Sequence, residues 1–163
     1  MWQDKGFLQE SETDVQDAMK QLGALITLVC TKYESLSTDE LLQHPAPGKW
    51  SRQQVLGHLI DSAINNLKRF TDAQLLDQPY IIISYQQDGL MEVNNYQGLP
   101  LQHLLNLWQA LNQQIIFVVN NIPATKLSYE VQPQYNQTGT QTLDWLICDY
   151  VAHMKHHLRA MGF

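Results

Sequence analysis

Four stretches of the chain place apolar residues three and four positions apart, the spacing that gathers side chains onto one face of an α-helix. The first covers about residues 14–36 through Val15, Met19, Leu22, Ile26, Val29 and Tyr33. Thr13 with Gln16 reads as the capping box that opens it, and Ser37 with Glu40 as a box opening one further turn. The segment His44-Pro45-Ala46-Pro47-Gly48 then halts helix growth, because each proline ring removes a donor and restricts the residue before it. A second helix is predicted from the Ser51–Gln54 box to about residue 76, with Val55, Leu59, Ala63, Leu67 and Phe70 on its stripe. The third starts at Pro100 and carries Leu101, Leu104, Leu105, Trp108, Leu111, Ile115, Val118 and Ile122. The fourth starts near Thr142 and runs through Leu143, Leu146, Ile147, Tyr150, Met154, Leu158 and Met161 to Gly162, a residue suited to stopping it. No stretch sustains the two-residue alternation of a strand.

This pattern predicts an all-α four-helix bundle, each stripe facing a shared core, in a single domain over residues 1–163. Two connections, 77–99 and 123–141, exceed the ~12–15 residues beyond which structureless loops become uncommon. They are either evidence against these helix boundaries or coverings of a functional region. A connection that long also lets neighbouring helices run parallel.

Charge narrows the set of partners. Ten Lys and Arg stand against 16 Asp and Glu, a net charge of −6, and no basic cluster offers a phosphate backbone or an anionic lipid surface its counter-charge. Nucleic acid and membrane are therefore excluded as expected partners, leaving a small-molecule substrate. No apolar run approaches the ~18–20 residues of a membrane span. The opening Met1-Trp2-Gln3-Asp4-Lys5 lacks the basic start and apolar middle of an export signal, so a cytoplasmic location is expected. Cys30 and Cys148 form no C-x-x-C pair and read as reduced thiols. Two-fold homodimers are the commonest soluble assemblies, which makes a dimer the default expectation, although no residue demonstrates one.

The densest chemistry lies in Asp149-Tyr150-Val151-Ala152-His153-Met154-Lys155-His156-His157. On a helical wheel His153 and His157 fall on the inward flank of the apolar stripe and His156 points away. Residues four apart sit one above the other, so these two imidazoles are placed to share one metal ion, with Asp149 one turn before them as an orienting acceptor or a further ligand. Equally, such pairs are often plain packing residues, and two rings make no site without a third ligand. His44, in the proline-bearing loop, and His103, on the outer side of the third helix, read as solvated. His58 shares a stripe with Asp61, Ser62 and Asn65 opposite the apolar one, which is either a solvated face or the wall of a covered cleft; Asp61 is correspondingly a surface charge or a proton-handling carboxylate. Glu-x-x-His pairs, H-E-x-x-H, G-x-S-x-G and phosphate-cradling glycine loops are absent from the sequence.

Two segments resemble a known family. Trp50-Ser51 through Val55-Leu56-Gly57-His58-Leu59-Ile60-Asp61-Ser62 to Arg69-Phe70, followed far downstream by Tyr150-Val151-Ala152-His153-Met154-Lys155-His156-His157, is similar to the DinB-like superfamily, especially its YfiT-type branch of metal-dependent hydrolases and thiol transferases. The resemblance implies a bundle holding one divalent ion, nickel or zinc, through three histidines that match His58, His153 and His157. It also implies water or a low-molecular-weight thiol as the group activated on that ion, the thiol serving as cosubstrate. Many members carry a histidine just after Asp-Ser, where this chain has Ala63, so their substrate contacts are not carried over. Asp61 is the candidate catalytic residue. The competing expectation is a non-catalytic ligand- or partner-binding bundle with a structural or vestigial metal site.

Overall fold

The computed structural model describes residues 14–134 and 139–163. In chain order its helices are α1 (Val15–Glu34), α2 (Thr38–Leu42), α3 (Arg52–Asp72), α4 (Gln87–Asn94), α5 (Leu101–Asn120), α6 (Ala124–Leu127) and α7 (Leu143–Ala160). The strands are β1 (Tyr80–Ile82), β2 (Glu130–Pro133) and β3 (Gln141–Thr142).

The four long helices are α1, α3, α5 and α7, as the periodicity predicts, and local signals explain most of their ends. Ser51 and Gln54 form a reciprocal box at the start of α3, and Ser37 and Glu40 do the same for α2. At α1 the cap is Asp14, whose carboxylate accepts the Asp17 N–H at 2.7 Å; Thr13 lies outside the described residues. α3 stops at Asp72, short of the predicted 76, because Leu75 and Leu76 extend the apolar pattern without reaching the core: they are 73% and 55% exposed.

α3 packs against α5 and α7, and α1 packs against the same two, so the sequence-consecutive pair α1 and α3 sits across the bundle diagonal. Side-chain contacts set the directions. Phe70 meets Tyr150 and His58 lies beside His157, making α3 and α7 antiparallel. The Tyr33 hydroxyl touches the Met161 sulfur and Lys155 bonds Gln21, making α1 and α7 parallel. The Gln53 amide donates to the carbonyl of Leu99, so α3 and α5 begin at the same end and run parallel. Parallel neighbours force the chain after α3 to travel back along the whole bundle before α5 begins. Leu22, Leu59, Ile60, Leu104, Trp108 and Ile147 are among the fully buried side chains that close the core between the four helices.

The two long connections contain structure that the pattern does not predict. β1 pairs in parallel with β2, which pairs antiparallel with β3, so a three-stranded sheet ties both connections together. Strands of two to four residues are too short to show alternation. From the sheet the first connection returns as α4 and a 3-10 turn, Tyr96–Gly98, laid along α3. Among the described residues, no helix is long and apolar enough to cross a membrane.

Candidate metal centre

The returning connection changes the environment of α3. Leu56 to Ala63 form an unbroken buried run, and His58, Asp61 and Ser62, on the face opposite the apolar stripe, are only 2–4% exposed. The stripe is therefore a covered wall, and the solvated-face reading of it does not hold. Gly57 is what allows the cover to close: a Cβ there would sit 2.2 Å from the Tyr96 ring, which lies directly on the helix backbone. Gln53 holds the same turn by donating to the carbonyls of Tyr96 and Leu99, and Ser51 by bonding Gln97. Among the described residues, the one buried side-chain polar atom without a hydrogen-bond partner is Trp108 Nε1, so the polar face of α3 is satisfied by its cover, by α7 and by its own backbone.

Three imidazoles converge at the edge of this cover. The Nε2 atoms of His58 and His153 are 3.4 Å apart, those of His58 and His157 3.2 Å, and those of His153 and His157 3.1 Å. Among the described His, Cys, Asp and Glu side chains, these three make the converging group; neither Asp61 nor Asp149 belongs to it. His44 and His103 are exposed elsewhere, and His156 is exposed with only its ring edge against His157. Trp50 packs its indole against the His58 ring, with centroids 5.1 Å apart.

The triangle has the dimensions of a metal site. Nitrogens at 2.0–2.1 Å from a tetrahedral ion lie about 3.3–3.4 Å apart, and on one face of an octahedral ion about 2.9 Å apart; the observed edges of 3.1–3.4 Å fall within this range. Burial, then the charge of neighbouring imidazoles, pushes His58 down to about 4, His153 to about 3 and His157 to about 4. Rings held in the neutral form each keep one unprotonated nitrogen to offer an ion, and an all-imidazole donor set suits zinc, nickel, copper or iron.

Asp61 is buried one turn along α3 from His58. Its Oδ1 accepts from the Tyr96 hydroxyl at 2.6 Å and from the Asn94 amide at 3.1 Å. Burial raises its pKa while those two hydrogen bonds pull it back. Tyr96 and Asn94 are the neighbours of Asp61 that sequence reasoning misses, because nothing local announces contacts spanning 35 and 33 residues. Asp149 is pushed up to about 6 by burial, opposed by the charge of Arg69. Neither cysteine is in a disulfide, and burial raises the Cys148 thiol to about 11, so it stays protonated at neutral pH.

Comparison with known proteins adds independent information. The chain matches the DinB superfamily over residues 32–161. It is 26% identical over 147 residues to the protein named "Putative metal-dependent hydrolase BH0277" from Halalkalibacterium halodurans, spanning 90% of this chain and 84% of that one. In fold it resembles YfiT from Bacillus subtilis, described as "a probable metal-dependent hydrolase with an unusual four-helix bundle topology", with a TM-score of 0.80 at 20% identity over 99% of this chain and 95% of the other. It also resembles a mycothiol-dependent maleylpyruvate isomerase, with a TM-score of 0.65 at 14% identity, covering 88% of this chain and 59% of the isomerase.

Proposed function

The chain belongs to the DinB superfamily, and from that premise we propose that it is a metal-dependent enzyme whose His58, His153 and His157 hold one divalent ion, nickel or zinc, for hydrolysis of a small-molecule substrate. The observation that carries this reading is the triangle of Nε2 atoms with edges of 3.1–3.4 Å. When bound, such an ion supplies Lewis acidity, which makes water or a thiol nucleophilic near neutral pH. Three protein ligands leave coordination positions open, as a catalytic site requires and a closed structural site does not.

The protein's own part in the chemistry is positional. Neutral imidazoles present their lone pairs without a competing proton at pH 7. Trp50 fixes the plane of the His58 ring and shields that side from water. Asp61, held by Tyr96 and Asn94, is assigned to proton handling beside the centre, its raised pKa suiting it to accept a proton. A second reading, in which a low-molecular-weight thiol is the nucleophile, draws its support from the fold shared with the mycothiol-dependent isomerase.

The test is metal analysis after loading with nickel or zinc. Wild type is expected to retain one ion per chain, and His58→Ala, His153→Ala and His157→Ala each to lose affinity by at least about tenfold while keeping their helical circular dichroism. Metal retention like wild type in all three would reject the centre. Turnover of an ester and electrophile panel with and without added thiol then separates the nucleophiles, and Asp61→Asn is expected to lower turnover without releasing metal.

A further inference from the structure

The wall of α3 that begins at His58 does not end at the histidines. Ser62, Asn65 and Arg69 follow it at four, seven and eleven residues, one stripe of the helix running about 16 Å along its axis. At the far end the stripe opens into a groove of about 660 Å³ between α3 and the β1 segment, a volume in the range of small-molecule sites.

The groove is built from two kinds of surface. At its base lies Arg69, 6% exposed, whose guanidinium donates to the Ile83 carbonyl at 2.9 Å, reaches Asn66 at 3.4 Å and lies 5.6 Å from the centre of the Tyr85 ring. Tyr85 in turn hydrogen-bonds Ser62, which ties this cover to the same stripe. Among the described residues no carboxylate lies within ion-pair distance of Arg69; the ion pair in the groove is between Lys68 and Asp72. The buried carboxylate of Asp149 feels the Arg69 charge from beyond ion-pair distance, and a buried guanidinium without a direct ion pair still gains from an anion that hydrogen-bonds it. At the rim, Ile81, Ile83 and Leu76 are 45%, 67% and 55% exposed, an apolar surface that the fold itself leaves uncovered. Lys68 and Asp72 cancel, and Asp77 at the outer end disfavours a second negative charge, which selects against polyanions.

We propose that this groove binds a small monoanionic amphiphile, its carboxylate on the Arg69 guanidinium and its apolar body along Ile81, Ile83 and Leu76. The groove is a binding site in its own right, and the proposal does not rest on the reading of the three histidines as the reaction centre.

Octanoate is the probe, with octanamide as its uncharged counterpart, and binding is followed by calorimetry on the full chain with and without a chelator. Octanoate is expected to bind saturably and octanamide about tenfold more weakly or worse, since a charge-assisted bidentate pair is worth at least that much. Arg69→Met is expected to weaken octanoate about tenfold, and so is Ile83→Asp, which sets a negative charge at the exposed rim. Chelator and His153→Ala are expected to leave octanoate binding unchanged. Equal binding of acid and amide, or no saturable octanoate binding, would overturn the proposal. So would binding that chelator or His153→Ala abolishes and Ile83→Asp spares, because the carboxylate would then be on the metal. A change of oligomeric state on Ile83→Asp without octanoate binding would assign the apolar rim to a second copy instead and equally overturn it. If Arg69→Met fails to fold, Ile83→Asp decides the matter, its side chain lying outside the core. Loss of the metal centre with octanoate binding intact would sink the reaction-centre reading alone.

Discussion

α1 and α3 are helices of 20 and 21 residues with equally clear apolar stripes, yet they are buried in different ways. α1 buries Ala18, Met19, Leu22, Ile26, Val29 and Tyr33, one stripe that meets α5 and α7, and its outer face is left to solvent. α3 buries twelve residues, seven of them polar or glycine and most of these away from that stripe, because the α4 segment and the Tyr96–Gly98 turn cover it from outside. Burial of a helix on one side makes a core. Burial on the second side, around His58, Asp61, Ser62 and Arg69, costs desolvation of polar groups and is retained where those groups have work to do.

The contrast can be broken from either helix. Leu22→Ala on α1 empties space in the shared core and is expected to lower stability by about 2–5 kcal/mol while leaving metal affinity in the folded protein unchanged, as chemical denaturation and metal titration would reveal. Gly57→Ala on α3 drives a methyl into the Tyr96 ring and is expected to cost about 1–3 kcal/mol. That cost should shrink in the Gly57→Ala/Tyr96→Ala double variant, because the same ring is involved in both; strict additivity would mean that the cover does not bear on α3 as described.

Asp149 sharpens the comparison through pH. Its folded pKa, about 6, lies above the ordinary 3.8, so the folded protein holds its proton more tightly than the unfolded chain does. The resulting stabilisation is complete below about pH 4, declines as pH rises through 6, and is absent above it. Asp149→Asn removes the cost of the buried charge and is expected to stabilise the protein by about 1–3 kcal/mol relative to wild type at pH 8, compared with its effect at pH 4. Comparing the variant with wild type at each pH cancels the histidines, whose depressed pKa values act in the opposite sense by removing stability as pH falls from 6.5 toward 4. The smallest effect belongs to the outer face of α1, where Lys20→Ala is expected to change stability by less than about 0.5 kcal/mol.

Periodicity and capping residues made the bundle legible. The starts of α2, α3, α5 and α7 follow from Ser37, Ser51, Pro100 and Thr142, each a signal within a few residues of the turn it opens. The pairing of His153 with His157 was equally legible, since four residues along a helix is a fixed geometry. The cover on α3 was not. Its length left open whether it was a covering or a misplaced boundary, and the bond from Tyr96 to Asp61 and the sheet joining the two connections depend on residues brought together from dozens of positions apart. β1 to β3 are so short that pairing partners, and not strand propensity, create them.

What the chain determined by itself is local: four amphipathic helices, their caps, and two imidazoles stacked one turn apart, all set by backbone geometry and side-chain type within a few residues. Tertiary structure alone decided that His58 meets that pair, that Asp61 is buried under Tyr96, and that Arg69 lines a groove on the same face. The physical reason is that a helix's own periodicity defines which residues share a face. Whether that face meets water, another helix or a returning loop is set by packing between distant segments, where the free energy of burial is summed over the whole fold.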